Sequence, residues 1–173
     1  LGVLAGMREG TVQDRVLSTV AIAGTSTPEY VSGVVLTVIF ASKMFGLQWF
    51  SGSATKAAED GPTFYTFTLP VLTIAIYGMG YIARMTRASM AEVMTQQYIR
   101  TARLKGVSFY GVVAKHALRN ALIAPFTVIL LQINYLVAGL VVVEMVFAYP
   151  GFGRMMLEAA LAGQLHEELR PMI

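Results

Sequence analysis

The sequence predicts an all-α protein, a polytopic transmembrane helical bundle, from its composition and from three long apolar stretches. Of the 173 residues, 55% are hydrophobic and only 13% are Asp, Glu, Lys or Arg, against roughly 25% in an ordinary soluble domain. The mean hydropathy of +0.61 indicates more apolar surface than one small core can bury. Lipid is therefore expected to cover part of a single domain, and the absence of cysteine excludes disulfides and thiolate metal sites.

The three apolar stretches are each long enough to cross the membrane, which takes about 20 helical residues. They cover residues 16–42, 61–83 and 120–143. The first contains one charge, Glu29, directly after Pro28, so either one helix kinks there or two shorter helices meet. In the second, the helix is expected to begin near Leu69 and Pro70, because proline suits a first turn.

The distribution of basic residues predicts the orientation, since lysine and arginine stay on the cytoplasmic side in short loops. Residues 84–119 carry a single acid, Glu92, against seven basic residues, and should be cytoplasmic; these are Arg84, Arg87, Arg100, Arg103, Lys105, Lys115 and Arg119. The loop before the second stretch, with Lys56 against Glu59 and Asp60, is expected to lie outside, as is the tail from Glu144 onward.

The sequence predicts that the cytoplasmic segment forms a helix, a tight turn and a second helix. Met94, Tyr98 and Ala102 recur every four residues, which predicts one packed helical stripe. Gly106 follows Lys105 where the end of a helix favours a left-handed residue, and Ser108 is placed to cap the second helix.

A basic helix-turn-helix can bind nucleic acid, but both ends of this one connect to membrane spans, so no nucleic-acid partner is expected. The arginines could also serve only to set the membrane topology. The small residues Ala102 and Gly106 favour a third interpretation, in which they form a tip that the backbone of another protein can approach closely.

Several blocks of the sequence resemble one family, the permease subunits of peptide-type (dipeptide, oligopeptide or nickel) ABC importers. Its cytoplasmic signature is usually Glu-Ala-Ala, three residues, then Gly; here Arg100 and Thr101 stand at the first two positions, Ala102 and Gly106 at the others. The blocks that carry the resemblance are residues 1–5, 86–89, 98–106, 116–121, 141–147 and 150–154.

The resemblance implies a multi-pass subunit of a bacterial or archaeal cell (inner) membrane that is not itself an enzyme. ATP would be bound by a separate ABC ATPase subunit, and no phosphate-binding loop is found here. A homologous second permease subunit, an extracytoplasmic solute-binding protein and the lipid bilayer are the other implied partners, with no cofactor or metal on this chain. The residues implied to couple to the ATPase are Tyr98, Arg100, Thr101, Ala102, Arg103, Lys105 and Gly106.

The resemblance covers residues 1–163, and residues 164–173 depart from the family pattern. Family members usually have about six spans, and the blocks present here correspond to the end of the second through the segment after the fifth. The chain is therefore expected to be a fragment of a permease domain, incomplete at both ends.

Polar side chains within the apolar stretches are candidates for lining the solute pathway, because they are costly in lipid. These are Gln132, Asn134 and Glu29, although amides in membrane helices also bind neighbouring helices. Two other functions are the alternatives. An ion-coupled secondary transporter would be expected to have paired charges in the membrane, and an intramembrane enzyme a nucleophile or a metal site.

Overall fold

In the computed structural model the chain is all-α, as the sequence predicts. The structure describes residues 1–43, 48–55, 61 and 63–169, with side chains described through residue 163. No β-strand occurs within these ranges. The charges counted at positions 56–60, and the last part of the tail at 170–173, lie outside the described residues. The helices are α1 (Gly2–Gly6), α2 (Val12–Ser26), α3 (Glu29–Phe40), α4 (Phe64–Met94), α5 (Gln97–Leu104), α6 (Phe109–Val112), α7 (Leu118–Ala121), α8 (Ile123–Val146) and α9 (Phe152–Leu169).

The first apolar stretch forms two helices, which is one of the two outcomes expected from Pro28. Helix α2 ends at Ser26, Thr27 adopts an extended conformation, and α3 begins at Glu29 with Pro28 as its N-cap. Proline has no N–H to donate and disfavours a helical residue before it, so the break falls where the sequence places it.

Helix α4 begins at Phe64, and the expectation that it begins near Leu69 and Pro70 is wrong. Pro70 lies inside the helix, in its second turn. A proline this close to the N-terminus removes only the bond to the carbonyl of Thr66, while the added turn packs aromatic rings: Phe67 lies edge-on to Tyr149 with ring centroids 5.1 Å apart.

Helices α4 and α8 are the two described helices that are long and apolar enough to cross a membrane, judged by length and composition. Their lengths of 31 and 24 residues exceed the ~20 that a span requires. Helix α3, with 12 residues, is apolar but shorter.

Helix α8 ends in a backbone motif that turns the chain toward α9. Ala148 has a left-handed φ of 50°, the Ala148 N–H donates to Met145 O, and the Tyr149 N–H donates to Glu144 O over 2.8 Å. This 6→1 and 5→2 pairing is a Schellman motif. The carboxylate of Glu144 then accepts a hydrogen bond of 2.7 Å from the backbone N–H of Arg154, in the first turn of α9.

The chain divides into two compact units, each with its own core. The first comprises residues Leu1–Thr27 and Ile76–Ile133, and the second Pro28–Ala75 and Asn134–Ile173. The core of the first unit is the cluster Met90, Ile99, Ala102, Val112, Val113, Ala117 and Ala121. The core of the second is Ala54, Leu69, Val143 and Phe147.

Within the first unit, α1 packs closely on α4 through glycines. A Cβ at Gly6 would stand 2.5 Å from Arg87 O and 2.7 Å from the Cβ of Met90, and one at Gly2 would be 2.6 Å from the Cβ of Thr86. Only glycine allows this approach of two helices. Gly10, by contrast, has open space around it and a φ of 80°, so it serves as a turn residue.

Candidate functional site

The helical hairpin of residues 97–121 forms the candidate functional site, and its turn has the predicted geometry. Lys105 ends α5, and Gly106 adopts a φ of 81°, the left-handed conformation that glycine tolerates best. The Val107 N–H donates a hydrogen bond of 3.3 Å to Ala102 O. Ser108 then caps the next helix by accepting a hydrogen bond from the Gly111 N–H.

The second arm of the hairpin is helical throughout but not uniform. It runs from α6 through one π-helical turn, Val113–Ala117, into α7. Val112, Val113 and Ala117 face the core, while His116 is exposed. The hairpin is therefore a packed structural unit of the chain.

Ala102 is not at an accessible tip, so the expectation that it offers a close-packing surface to another protein is wrong. Only 7% of it is exposed, and it packs in the same cluster as Ile99. A small residue at this position lets α5 lie close to its own second arm. Gly106 is exposed and has nothing within 4 Å of where a Cβ would stand.

The predicted buried stripe of α5 is also wrong at Tyr98, which is 40% exposed, while Ile99 is 1% exposed. The hydroxyl of Tyr98 instead accepts a hydrogen bond of 2.9 Å from the Asn120 side-chain amide. This bond links the start of α5 to α7.

Two of the remaining predicted coupling residues also make contacts inside the hairpin. The guanidinium carbon of Arg103 lies 5.5 Å from the centroid of the Phe109 ring, and that of Arg8 lies 5.4 Å from the same centroid. Both are cation–π contacts; the one from Arg103 crosses the turn, and the one from Arg8 joins the hairpin to the segment after α1. The hydroxyl of Thr101 donates to Gln97 O one turn earlier.

Arg100 and Lys105 remain available for outside contacts. Both are exposed, and among the residues that the structure describes neither has a hydrogen-bonded or ion-paired side-chain partner. Leu104 lies between Arg103 and Lys105 in the chain and is 81% exposed. We define the docking face as Arg100, Leu104, Lys105 and Gly106.

The charges and small residues of this segment do not indicate a role for Leu104. The signal was available: once Ile99 and Ala102 are placed on the buried side, a leucine two residues after Ala102 falls on the opposite side of the helix. Tyr110, 66% exposed near the start of the second arm, is a second such apolar group.

The three candidates for pathway lining have different environments. Glu29 is half-buried as the first residue of α3, and the Tyr135 hydroxyl hydrogen-bonds to its carboxylate. Gln132 is 8% exposed, and its Nε2 has no hydrogen-bond partner among the described residues. Asn134 is exposed on α8.

Among the described residues, no group of three or more His, Cys, Asp or Glu side chains is placed to hold a metal ion.

Asp14 is a buried acid, 3% exposed, that forms an ion pair with Arg87. The Arg87 guanidinium beside it, together with the Gly10 N–H, holds the pKa of this carboxyl well below its usual range.

The curated proteins that resemble this chain are named as permeases of peptide or glutathione transport systems. The chain is 38% identical over 167 residues to a protein of Brucella abortus (strain 2308) that is named as a peptide transport system permease; this covers 95% of the chain and 52% of that protein. It is 37% identical over 158 residues to the glutathione transport system permease protein of Escherichia coli (strain K12), covering 91% of the chain and 49% of the relative. A protein of Sinorhizobium fredii named as a peptide ABC transporter permease is 38% identical over 160 residues, covering 91% of the chain and 50% of the relative.

The chain thus spans about half the length of the curated relatives it matches. The sequence profile described as "Binding-protein-dependent transport system inner membrane component" matches residues 1–173. On this evidence, the chain belongs to the family of inner membrane components of binding-protein-dependent transport systems.

Proposed function

We propose that this chain is part of the membrane-spanning subunit of an ATP-driven importer, and that it forms part of the pathway for peptides or similar small solutes. The match of the family profile to the whole chain is the observation that carries this proposal. The names of the relatives, which refer to peptide and glutathione transport, support the substrate class. A bacterial inner membrane is the proposed location.

ATP is hydrolysed in this proposal by a separate ABC ATPase subunit that contacts the docking face. An exposed leucine beside two exposed cations suits a partner groove with an apolar pocket and acidic side chains at its rim. Of the seven coupling residues, Arg100, Lys105 and Gly106 would contact the ATPase. Tyr98, Thr101, Ala102 and Arg103 would hold the hairpin rigid, so that movement of the ATPase is passed on to the membrane helices.

The other proposed partners follow from the transport role. A homologous second permease subunit would complete the pathway, and an extracytoplasmic solute-binding protein would deliver the solute. Large apolar side chains of α8, among them Leu131 at 66% and Val137 at 62% exposure, would be covered by lipid or by that second subunit. Glu29, Gln132 and Asn134 remain the proposed polar groups of the pathway.

The substitution Leu104→Ser in the full-length protein of the assembled transporter tests this function. Uptake driven by ATP is expected to fall at least tenfold, because truncating a central apolar anchor weakens the docking. The matched control is Val12→Ser, since Val12 is 77% exposed in the same unit but outside the hairpin. Uptake that continues after ATP depletion but is abolished by a proton uncoupler would contradict the proposal and favour an ion-coupled transporter.

A further inference from the structure

Glu29 is the first residue of α3, and its carboxylate lies beside α8, because the Tyr135 hydroxyl hydrogen-bonds to it. Helix α8 is long and apolar enough to cross a membrane. Its partner Tyr135 lies near the middle of α8 (Ile123–Val146). Both residues belong to the second unit.

The carboxylate of Glu29 is held in a defined place. The Tyr135 hydroxyl hydrogen-bonds to it, and one turn further along α8 a Cβ at Gly139 would lie only 2.7 Å from Glu29 Oε2 and 3.1 Å from Oε1. Any residue larger than glycine would push the carboxylate away from α8. Tyr135 and Gly139 therefore form a cradle, and Tyr135 is still 42% exposed.

Among the described residues, no cation forms an ion pair with the carboxylate of Glu29. None of the ion pairs formed by the described residues includes Glu29; they join Arg87 to Glu9 and Asp14, and Arg154 to Glu158. A carboxylate within a membrane costs several kcal/mol and normally pairs with a positive group or faces a water-filled cavity.

We propose that Glu29, Tyr135 and Gly139 form a binding site for the ammonium group of a cationic solute in transit. This inference rests on the proposed function, because it places the site in the solute pathway. The solute itself supplies the missing cation, and the carboxylate oxygens left over from Tyr135 accept its N–H groups. A single carboxylate suits an ammonium group better than a divalent metal, for which the described residues offer no cluster of three ligands.

The test uses a cysteine reporter beside the site and needs no knowledge of the solute. Leu136→Cys, 36% exposed between Tyr135 and Gly139, would be the only thiol in these 173 residues. In the full-length protein, its reaction rates with a trimethylammonium-bearing and a sulfonate-bearing methanethiosulfonate are measured and normalised to a free thiol. The cationic reagent is expected to react at least fivefold faster, and Glu29→Gln should bring the ratio close to one.

Glu29→Asp should keep the preference in part, since it keeps the charge. Glu158→Gln, which removes an exposed acid from α9, should leave the ratio unchanged. A ratio that does not respond to Glu29→Gln, or a reporter that reacts with neither reagent, overturns the site. If the unmodified transporter shows no ATP-driven uptake, the proposed function is contradicted instead. Failure of the binding site and failure of the proposed function are therefore distinguishable.

Discussion

The carboxylate of Asp14 and the guanidinium of Arg87 form a two-point ion pair, with Arg87 Nε 3.0 Å from Oδ1 and Nη2 2.8 Å from Oδ2. The Gly10 N–H and the Ser18 hydroxyl also donate to the same carboxylate. The pair therefore fastens the first turn of α2 to the basic end of α4.

Replacing Asp14 with Asn should destabilise the protein by about 2–3 kcal/mol, because Arg87 loses a charged acceptor while the shape is kept. Thermal unfolding of the detergent-solubilised protein measures the effect. The control Glu9→Gln removes the weaker and more exposed contact to Arg87, which is 3.3 Å long, and should change stability by less than about 1 kcal/mol. Equal losses in the two variants would show that the two-point geometry is unimportant.

The same pair predicts how stability depends on pH. The pKa of Asp14 is lower in the folded protein than its ordinary value of about 3.9, so its contribution is complete above that value and is lost as the pH falls through the folded pKa. Between pH 5 and 8 the melting temperature should not depend on Asp14 titration. On acidification below about pH 4, it should fall more steeply in the wild type than in Asp14→Asn, and parallel curves would contradict this.

Two substitutions at Gly106 separate backbone strain from contact with a partner. Asn tolerates a positive φ, whereas Val in that conformation costs about 1–2 kcal/mol. Neither meets an atom of the chain within 4 Å at its Cβ. If the ATPase approaches Gly106 closely, both variants should lower uptake per ATP hydrolysed, with only Val reducing the melting temperature. Full coupling in Gly106→Asn would mean that only the turn conformation matters.

The carboxylate of Glu144 should contribute to the start of α9. Glu144→Ala is expected to cost about 0.5–2 kcal/mol, as for loss of a helix cap, whereas Glu144→Gln keeps an oxygen acceptor for the Arg154 N–H and should cost less. Limited proteolysis at the start of α9 and thermal unfolding measure the difference. Identical behaviour of the Ala and Gln variants would contradict a capping role.

The features that the sequence predicted correctly depend on neighbouring residues. The left-handed Gly106 and the Ser108 cap each follow from a few consecutive residue types, as does the break at Pro28. The predicted packed stripe holds at Ala102 but is wrong at Tyr98. Helix α4 ends at Met94 and a new helix, α5, begins at Gln97, so the spacing of four residues from Met94 does not place Tyr98 on the same side.

The features that were missed depend on residues far apart in the chain. Asp14 and Arg87 are separated by 73 positions, and nothing in either local sequence predicts that they meet. Likewise, Ala102 is inaccessible to a partner because Val112 of α6 and residues of the π-helical turn belong to the same core cluster. Leu104 could have been found only after the buried side of α5 was assigned correctly.

Disulfide crosslinking from Leu104→Cys tests the central claim, contact between the docking face and an ATPase subunit, most directly. These 173 residues contain no cysteine, so with any cysteine elsewhere in the full-length protein replaced, a crosslink identifies this position. Leu161→Cys, 56% exposed on α9, serves as the control. The account predicts an oxidation-dependent adduct between Leu104→Cys and a cysteine in the ATPase groove, and none from Leu161→Cys. A correctly inserted, reactive Leu104→Cys that never crosslinks to the ATPase would contradict it.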